Sequence, residues 1–410
     1  MVVVLLAVIL PILFRFIIPR VIPPHLGIYA RPGGILYYLK FVLFLLIVKL
    51  RRFRSSRLSN VQGVSAGYGQ RSKFTIEEMD RAQILPNDEP KAVDAVYFTG
   101  ANEKGEYIVA ATARRQRNLN QAFLFIRLPH IGLLQMPHQP DTHCKADDEN
   151  KFWSNGLRID SIEAMKKWKI SYEGNMKLSS GKEVFVRLAA GWEAIMPYFD
   201  FDTDIPASAV SRAIAQEKWT KDRFERLRKA HQTHHEQFGK WTVSLEIDGE
   251  KRDTILYGVR DHSYGNVRDW RDIHRYALQY CYLEDGTCIG LLCICMPKTM
   301  SRLIAGYVSK DNKIDSITDS SLQLWSMGEN GKPPNDYGFE IFTESGKQYT
   351  LFCKVIESPT VYIDGENDIR HGRIHERMAT YNLDSLKGWG ISEWAYGLEE
   401  DIRLKTDFIS

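Results

Sequence analysis

The chain has 410 residues, and at about 100–200 residues per domain that length predicts two or three domains. Lys and Arg number 54 against 51 Asp and Glu, a net charge of +3, which excludes a general nucleic-acid binder with its clustered, unopposed cations. With 44% apolar and 26% charged residues wholesale disorder is excluded too, and nine Trp, 19 Tyr and 19 Phe favour a β-rich protein with an aromatic core or an apolar pocket.

Two apolar stretches open the chain, Val2–Ile18 and Gly34–Leu50, each of about 17 residues, the short end of what spans a bilayer core. Between them PRVIPPHLGIYARPG, with four prolines and two glycines, cannot continue a helix. No basic n-region precedes the first stretch and no A-x-A site follows it, which argues against a cleaved signal peptide. Lys49, Arg51, Arg52, Arg54 and Arg57 crowd the end of the second stretch, against Arg20 and Arg31 in the turn. The positive-inside rule then predicts a membrane anchor over residues 1–54, a spanning or half-inserted hairpin. The body would face the cytoplasm, with the endoplasmic reticulum a candidate membrane. Six cysteines and the lack of an N-x-[ST] sequon agree with a reducing compartment. Cys293 and Cys295 read as small buried hydrophobes on one strand face.

A polar link and a short helix fill residues 55–89, and in TIEEMDRAQIL the spacing of Thr75 and Glu78 is a capping box. From about Val93 short strands alternate with turns, expected at residues 102–105, Glu173-Gly174 and Ser180-Gly181. SAVSRAIAQEKWTKDRFERLRKAHQTHHEQ reads as one helix with Ile214, Trp219, Phe224 and Leu227 as its apolar stripe. The expected layout is mainly β. A first domain covers residues 90–205, a connecting helix 206–240, a second domain 241–400 and a tail 401–410, each β half an open barrel or sandwich. There is no GxGxxG after a strand, no Walker motif and no HExxH, and no motif demands a cofactor or a metal.

Residues 257–272, YGVRDHSYGNVRDWRD, gather Arg260, Asp261, His262, Tyr264, Arg268 and Trp270. If a strand ends here, Arg260 and His262 share one face and Asp261 takes the other. A turn at a barrel mouth would then present His262 and Tyr264 to a cavity, where an imidazole or a buried carboxyl can move a proton. Tyr264 and Trp270 could steady positive charge with their ring faces. The competing reading is a structural Arg–Asp lattice tying the two halves together, with His262 a hydrogen-bonded core residue. In HQTHHEQ, residues 231–237, His231 and His235 fall i,i+4 on the expected helix beside Glu236, either a metal-binding pair or a solvated helix end. In GWGISEWAYG, Glu393 stands between Trp389 and Trp394, as a general acid among aromatics or a residue closing a barrel edge.

These segments, in this order, resemble the two-domain lipocalin-like superfamily of carotenoid hydratases (hydroxyneurosporene synthases) and AttH-like proteins. The residues carrying the likeness are HHEQFG, GVRDHSYGNVRDW, YLEDG, Gly306–Val308, and ER–Y–GWGISEW, over roughly residues 85 to 400. The nearest likeness is to an animal module that precedes phosphoenolpyruvate-synthase-like domains, which this chain lacks. The resemblance implies two lipocalin-like open barrels with an apolar cavity near their junction. It also implies an acid that protonates a C=C bond, aromatic rings that steady the carbocation, and addition of water. Carried over by motif, His262 with Asp261 beside it falls in the catalytic region, and Tyr264 takes the aromatic place where relatives often have Trp.

Together these readings predict a membrane-anchored protein binding a long apolar ligand, an isoprenoid or other lipid. Hydration, isomerisation or cyclisation would proceed through Asp261, His262, Tyr264 and Glu393, with Arg260, Arg268, Trp270, Glu236 and Trp394 contacting the ligand. A non-catalytic lipid carrier or sensor, and a β-rich interaction scaffold, are the alternatives.

Overall fold

The computed structural model describes residues 22–57, 75–364 and 369–398, and within them the strands close two β-barrels. The first uses β1 (Val93–Ala101), β2 (Tyr107–Arg115), β3 (Leu119–Leu128), β4 (Gly132–Gln135), β5 (His143–Lys145) and β6 (Phe152–Ser154). It continues through β7 (Leu157–Glu163), β8 (Lys167–Leu178), β9 (Glu183–Ala194), β10 (Phe199–Asp200), β11 (Thr233–Ile247) and β12 (Glu250–Gly265). Strands β11, β12, β1, β2, β3, β4, β8 and β9 pair in that order, and β9 pairs back to β11. The second barrel uses β13 (Arg275–Leu283), β14 (Cys288–Met296), β15 (Met300–Lys310), β16 (Lys313–Ser320) and β17 (Asp336–Thr343). It is completed by β18 (Gln348–Glu357), β19 (Thr360–Asp364), β20 (Arg370–Leu383) and β21 (Leu386–Gly397), with β18 on β20 and β21 on β13.

The open barrels expected from the sequence are therefore closed. Alternation says which face of a strand is buried, not whether the outermost strands meet. Closure satisfies the N–H and C=O groups that an open edge would leave exposed.

Along β9 every second residue from Val184 to Trp192 is buried, the period-two pattern of a strand with one wet face. Along β2 and β3 nearly every residue is buried, because their outer face packs on the second barrel. Phe98, Trp168, Trp192 and Trp241 fill the first barrel, and Phe339, Tyr381 and Trp394 the second. Val109, Phe123, Phe125, Ile374 and Ile391 form a further apolar layer between the two. Cys293 and Cys295 are free, buried and part of the second core, as expected.

The N-terminal reading needs the largest correction. Val2–Ile18 lies outside the described residues. The second stretch forms helix α1 (Gly34–Arg57), but no described helix is long and apolar enough to cross a membrane. Instead α1 lies along the body. Phe44 and Val48 are buried in one cluster with Val210, Ile214 and Leu227. The Lys40 ammonium donates to the Glu217 carbonyl at 2.8 Å, and the Arg52 guanidinium donates to the Ile205 carbonyl. The turn that a two-span hairpin would place across the bilayer is inserted into the second barrel. Ile28 and Tyr29 are fully buried there, the Tyr29 hydroxyl donates to Glu329 at 2.7 Å, and the Ala30 N–H donates to Ser301 at 2.8 Å. Hydropathy records how apolar a stretch is, not what covers it.

Helix α2 (Ile76–Asp80) carries the expected capping box of Thr75 and Glu78, and its last residue, Asp80, is fully buried. The single helix expected over residues 206–240 is two, α3 (Ala207–Ala215) and α4 (Lys221–Lys229), the second capped by the Thr220 hydroxyl. From Thr233 the chain is strand, because HHEQFG pairs residue by residue with β12. Strands β11 and β12 complete the first barrel, so the second begins at Arg275 rather than near residue 241.

Gly239 and Gly258 face each other across β11 and β12. A Cβ on Gly258 would lie 2.2 Å from the Thr99 carbonyl oxygen, a backbone atom that no rotamer change can move. Gly258→Ala is expected to lower the unfolding free energy by about 1–3 kcal/mol. An unchanged denaturant midpoint would mean that β1 and β12 do not approach this closely.

Candidate functional site

The Asp248-Gly249 turn, with φ of 48° and 89°, joins β11 to β12 and sets their register. From Ile247↔Glu250 the ladder counts down to Glu236↔Asp261, His235↔His262 and His234↔Ser263. Alternation then sorts the charged residues into two groups.

His235, Gln237, Arg260 and His262 face the interior of the first barrel. Arg260 is fully buried, pairs with Asp80 at the end of α2, and donates to Gln237 at 2.6 Å. His262 Nε2 lies 2.7 Å from Asp94, which also accepts from Arg114 at 2.6 Å. Burial alone would raise the Asp80 carboxyl, yet Arg260, His235 and His262 hold it far below the usual carboxylate range. Burial pushes His235 down to about 3. For His262 burial is outweighed by hydrogen bonding to Asp80 and Asp94, and its pKa rises. This is a charge lattice inside the first barrel, packed against Phe152 and Trp168, and it does not tie the two halves together.

His234, Glu236 and Asp261 face outward, toward the second barrel. His234 Nε2 is 3.2 Å from both Glu236 Oε1 and Asp261 Oδ1, with Phe201 stacked on the ring at 4.1 Å. Burial would lower His234, but the two carboxylates raise it to about 10, so it is an imidazolium. Burial would likewise raise Asp261, but His234 and Arg268 hold it below its ordinary value. The Tyr280 hydroxyl donates to Glu236 at 2.9 Å.

Opposite them, β20 and β21 carry Glu376 and Glu393 as register partners. The Tyr97 hydroxyl of β1 donates to Glu376 at 2.8 Å, and the Tyr276 hydroxyl donates to Glu393. Burial, then the charge of Glu393, push Glu376 well above its ordinary value. Burial raises Glu393 to about 7, against the opposing tyrosine hydrogen bonds and with help from Asp261 and Glu236. A cavity of about 130 Å³ lies between the barrels. Its walls include Ala95, Tyr97, Ala111, Phe123, Trp270 and Leu278, and Asp261, Arg268, Glu376 and Glu393 reach it. Trp270 sits in a single 3₁₀ turn, Trp270–Asp272, and a Cβ on Gly372 would meet its ring at 2.6 Å. A wider hollow of about 580 Å³ on the outside of the first barrel is walled by exposed ion pairs, with Arg187 at 3.1 Å from both Glu173 and Glu246.

Of the residues singled out from the sequence, Asp261, Glu393, Arg268 and Trp270 border the cavity, whereas Glu236 does not and is linked to Asp261 through His234. His262, Arg260 and Tyr264 do not border it. They alternate with Asp261 and Ser263 on β12 and belong to the other face. Trp394 is likewise one residue from Glu393 and points into the second barrel, where its N–H lies 3.1 Å from Ser392 Oγ. His231 and His235 are not a helical pair. His231 precedes β11 and lies 2.7 Å from Asp202, while His235 is inside the barrel. Two other groups have metal-ligand spacing among the described residues, Asp80–His235–His262 and His234–Glu236–Asp261. The Arg260 guanidinium already neutralises the first. The sequence reading missed Tyr97, His234, Tyr276 and Glu376, which enter from four different strands.

Compared with known proteins, the sequence matches no curated protein. Among solved structures, an AttH candidate from Nitrosomonas europaea has a TM-score of 0.47 at 11% identity, covering 77% of this chain and 97% of that one. Kievitone hydratase from Nectria haematococca gives 0.47 at 11% identity over 76% and 90% of the two chains. CghA, solved also with Sch210972, gives 0.44 at 9% identity over 78% and 94%. At these values none of the likenesses carries an activity across, and none supports the narrower tie to the animal module. One family profile spans residues 3–396, nearly the whole length. The chain therefore belongs to that family of unknown function, DUF8627.

Proposed function

We propose that the chain binds a compact apolar molecule, or one end of a longer lipid or isoprenoid, between its barrels and transforms it by acid catalysis. The observation that carries this reading is the Glu376–Glu393 pair. Two carboxyls on neighbouring strands, enclosed by aromatic and aliphatic side chains, hold a proton near neutral pH where exposed carboxyls would be ionised. Such a group can protonate an alkene, and the aromatic residues Tyr97 and Trp270 line the space where positive charge would form. Ionised Asp261 reaches the same space and adds attraction for a cation. Loss of a neighbouring proton from the cation gives an isomer, attack by a second double bond followed by proton loss gives a ring, and capture of water followed by proton loss gives an alcohol. In each case the glutamate that gave its proton recovers one.

The cavity limits the ligand. Typical ligand pockets hold about 300–1,000 Å³, so about 130 Å³ suits a small molecule or a terminus rather than the long chain read from the sequence. Mass spectrometry of organic extracts from the purified full chain is expected to find an apolar molecule. Extracts of Ala113→Phe, whose ring would fill the cavity, are expected to lack it. With that molecule as substrate, Glu393→Gln and Glu376→Gln are each expected to slow turnover by about 10²–10⁴-fold while binding persists. Equal loading of the parent and Ala113→Phe, or turnover indifferent to both glutamate changes, would sink the proposal.

A further inference from the structure

We infer that α1 is a membrane-surface docking element: the protein lies on a lipid bilayer with this helix flat in the interfacial layer and its apolar face against the acyl chains.

One side of α1 is committed to the body through Phe44, Val48, Lys40 and Arg52. The other side is apolar and, among the described residues, uncovered. Leu36, Leu39, Val42, Leu43, Leu46 and Leu50 are 41–60% exposed, and at 3.6 residues per turn they form one stripe. A helix on the surface of a soluble protein carries polar residues there. Single exposed leucines are ordinary, but a continuous stripe over four turns marks a contact surface.

Charge chooses the occupant. Residues 34–57 contain no Asp or Glu, while Lys49, Arg51 and Arg54 are exposed at the C-terminal end of the stripe. Cations with no acid among them, at the end of an apolar stripe, suit the anionic headgroups and acyl chains of a bilayer surface. A second copy would bring the same cations with no acid to meet them. Both flanks of α1 are tied to one body, the turn at Tyr29 before it and Arg52 near its end, so it cannot run from one side of a bilayer to the other. Flat docking is the geometry left to it. This inference does not depend on the chemistry of the cavity.

The test uses the full chain with Leu36, Leu43 or Leu50 replaced singly by Cys and labelled with an environment-sensitive fluorophore; the six native cysteines are all buried. Vesicles of phosphatidylcholine with phosphatidylserine are expected to shift all three labels to an apolar environment. Shallow brominated lipids should quench the three to similar extents. The Lys49→Gln, Arg51→Gln, Arg54→Gln triple variant should bind those vesicles roughly 10–100-fold more weakly. Labels that stay water-exposed with vesicles would overturn the inference. So would labels already in an apolar environment without lipid, which would mean residues 2–18 or a second copy cover the face. Quenching deepest at Leu43 and shallow at Leu36 and Leu50 would mean a span. None of these results bears on whether an apolar molecule occupies the cavity.

Discussion

Asp80→Asn is expected to destabilise the protein by about 3–5 kcal/mol, the usual cost of removing one partner from a buried ion pair. Neither side chain of the Asp80–Arg260 pair has any exposed surface. The guanidinium lies 5.5 Å from the centre of the Trp168 ring and 5.8 Å from that of Trp192, so water cannot replace the lost carboxylate. Asp80 Oδ2 also accepts from the Met165 N–H at 2.7 Å and the Trp168 N–H at 3.2 Å, and an asparagine cannot satisfy both of these and Arg260. The pH dependence has a definite sign. Because the folded carboxyl is depressed, its contribution is present above the unfolded pKa of about 3.9 and declines as acid is added below that value. The variant should therefore lose less stability than the parent between about pH 4 and pH 2. A second arm separates charge from packing. Asp80→Leu with Arg260→Met removes both charges and should be more stable than either single change, because no buried charge is left alone. Unfolding curves for the parent, Asp80→Asn, the two single changes and the double variant decide it. A cost for Asp80→Asn below about 1 kcal/mol would mean that Arg260 finds another partner or water.

The sequence makes the local elements of this fold plain and hides what joins them. The capping box at Thr75, the turn at residues 102–105 and the turn at Ser180-Gly181 are set by neighbours in the chain, and all three are present. Glu173-Gly174 looks like a turn and is not one, because β8 runs through it with Gly174 beside the Tyr172 ring. The alternation that puts Asp261 and His262 on opposite faces was readable, and followed through it separates the cavity residue from the lattice residue. The same holds for Glu393 and Trp394. Glu376 and His234 were within reach of hairpin arithmetic. A turn at Asp384-Ser385 pairs Glu376 with Glu393, and the Asp-Gly turn at residues 248–249 pairs Glu236 with Asp261, two residues from His234. Tyr97 was not within reach. It meets Glu376 across 279 positions of sequence, and only the packing of one closed barrel on the other brings them together. The apolar helix gives the opposite lesson, since its composition announced lipid while the ties that forbid a span come from Ile205, Ser301 and Glu329.

Glu393→Gln is expected to make the folded protein more stable at about pH 8, by about 3 kcal/mol, and to leave it unchanged at about pH 4. Burial lifts this carboxyl from 4.5 to about 7, a difference worth about 1.4 kcal/mol for each unit. Below the unfolded pKa of about 4.3 the group is protonated folded or unfolded and contributes nothing to the difference. As pH rises toward 7 the unfolded chain gives up its proton first, so the folded state loses ground. Above that the folded protein carries a buried anion among Glu376, Asp261 and Glu236, and the full cost remains. Glutamine cannot ionise, keeps an oxygen to accept from Tyr276, and relieves Glu376 of a like charge, so each consequence of the change has the same sign. A residue kept for structure would lower stability when replaced. One kept protonated for chemistry should raise it while turnover is lost, the expected conflict between stability and activity at a working site. Denaturant unfolding of parent and variant at the two pH values reads the difference directly. A variant less stable than the parent at about pH 8 would mean that the carboxylate, not the acid, is the form the cavity holds, and the role of Glu393 as proton donor would fall with it.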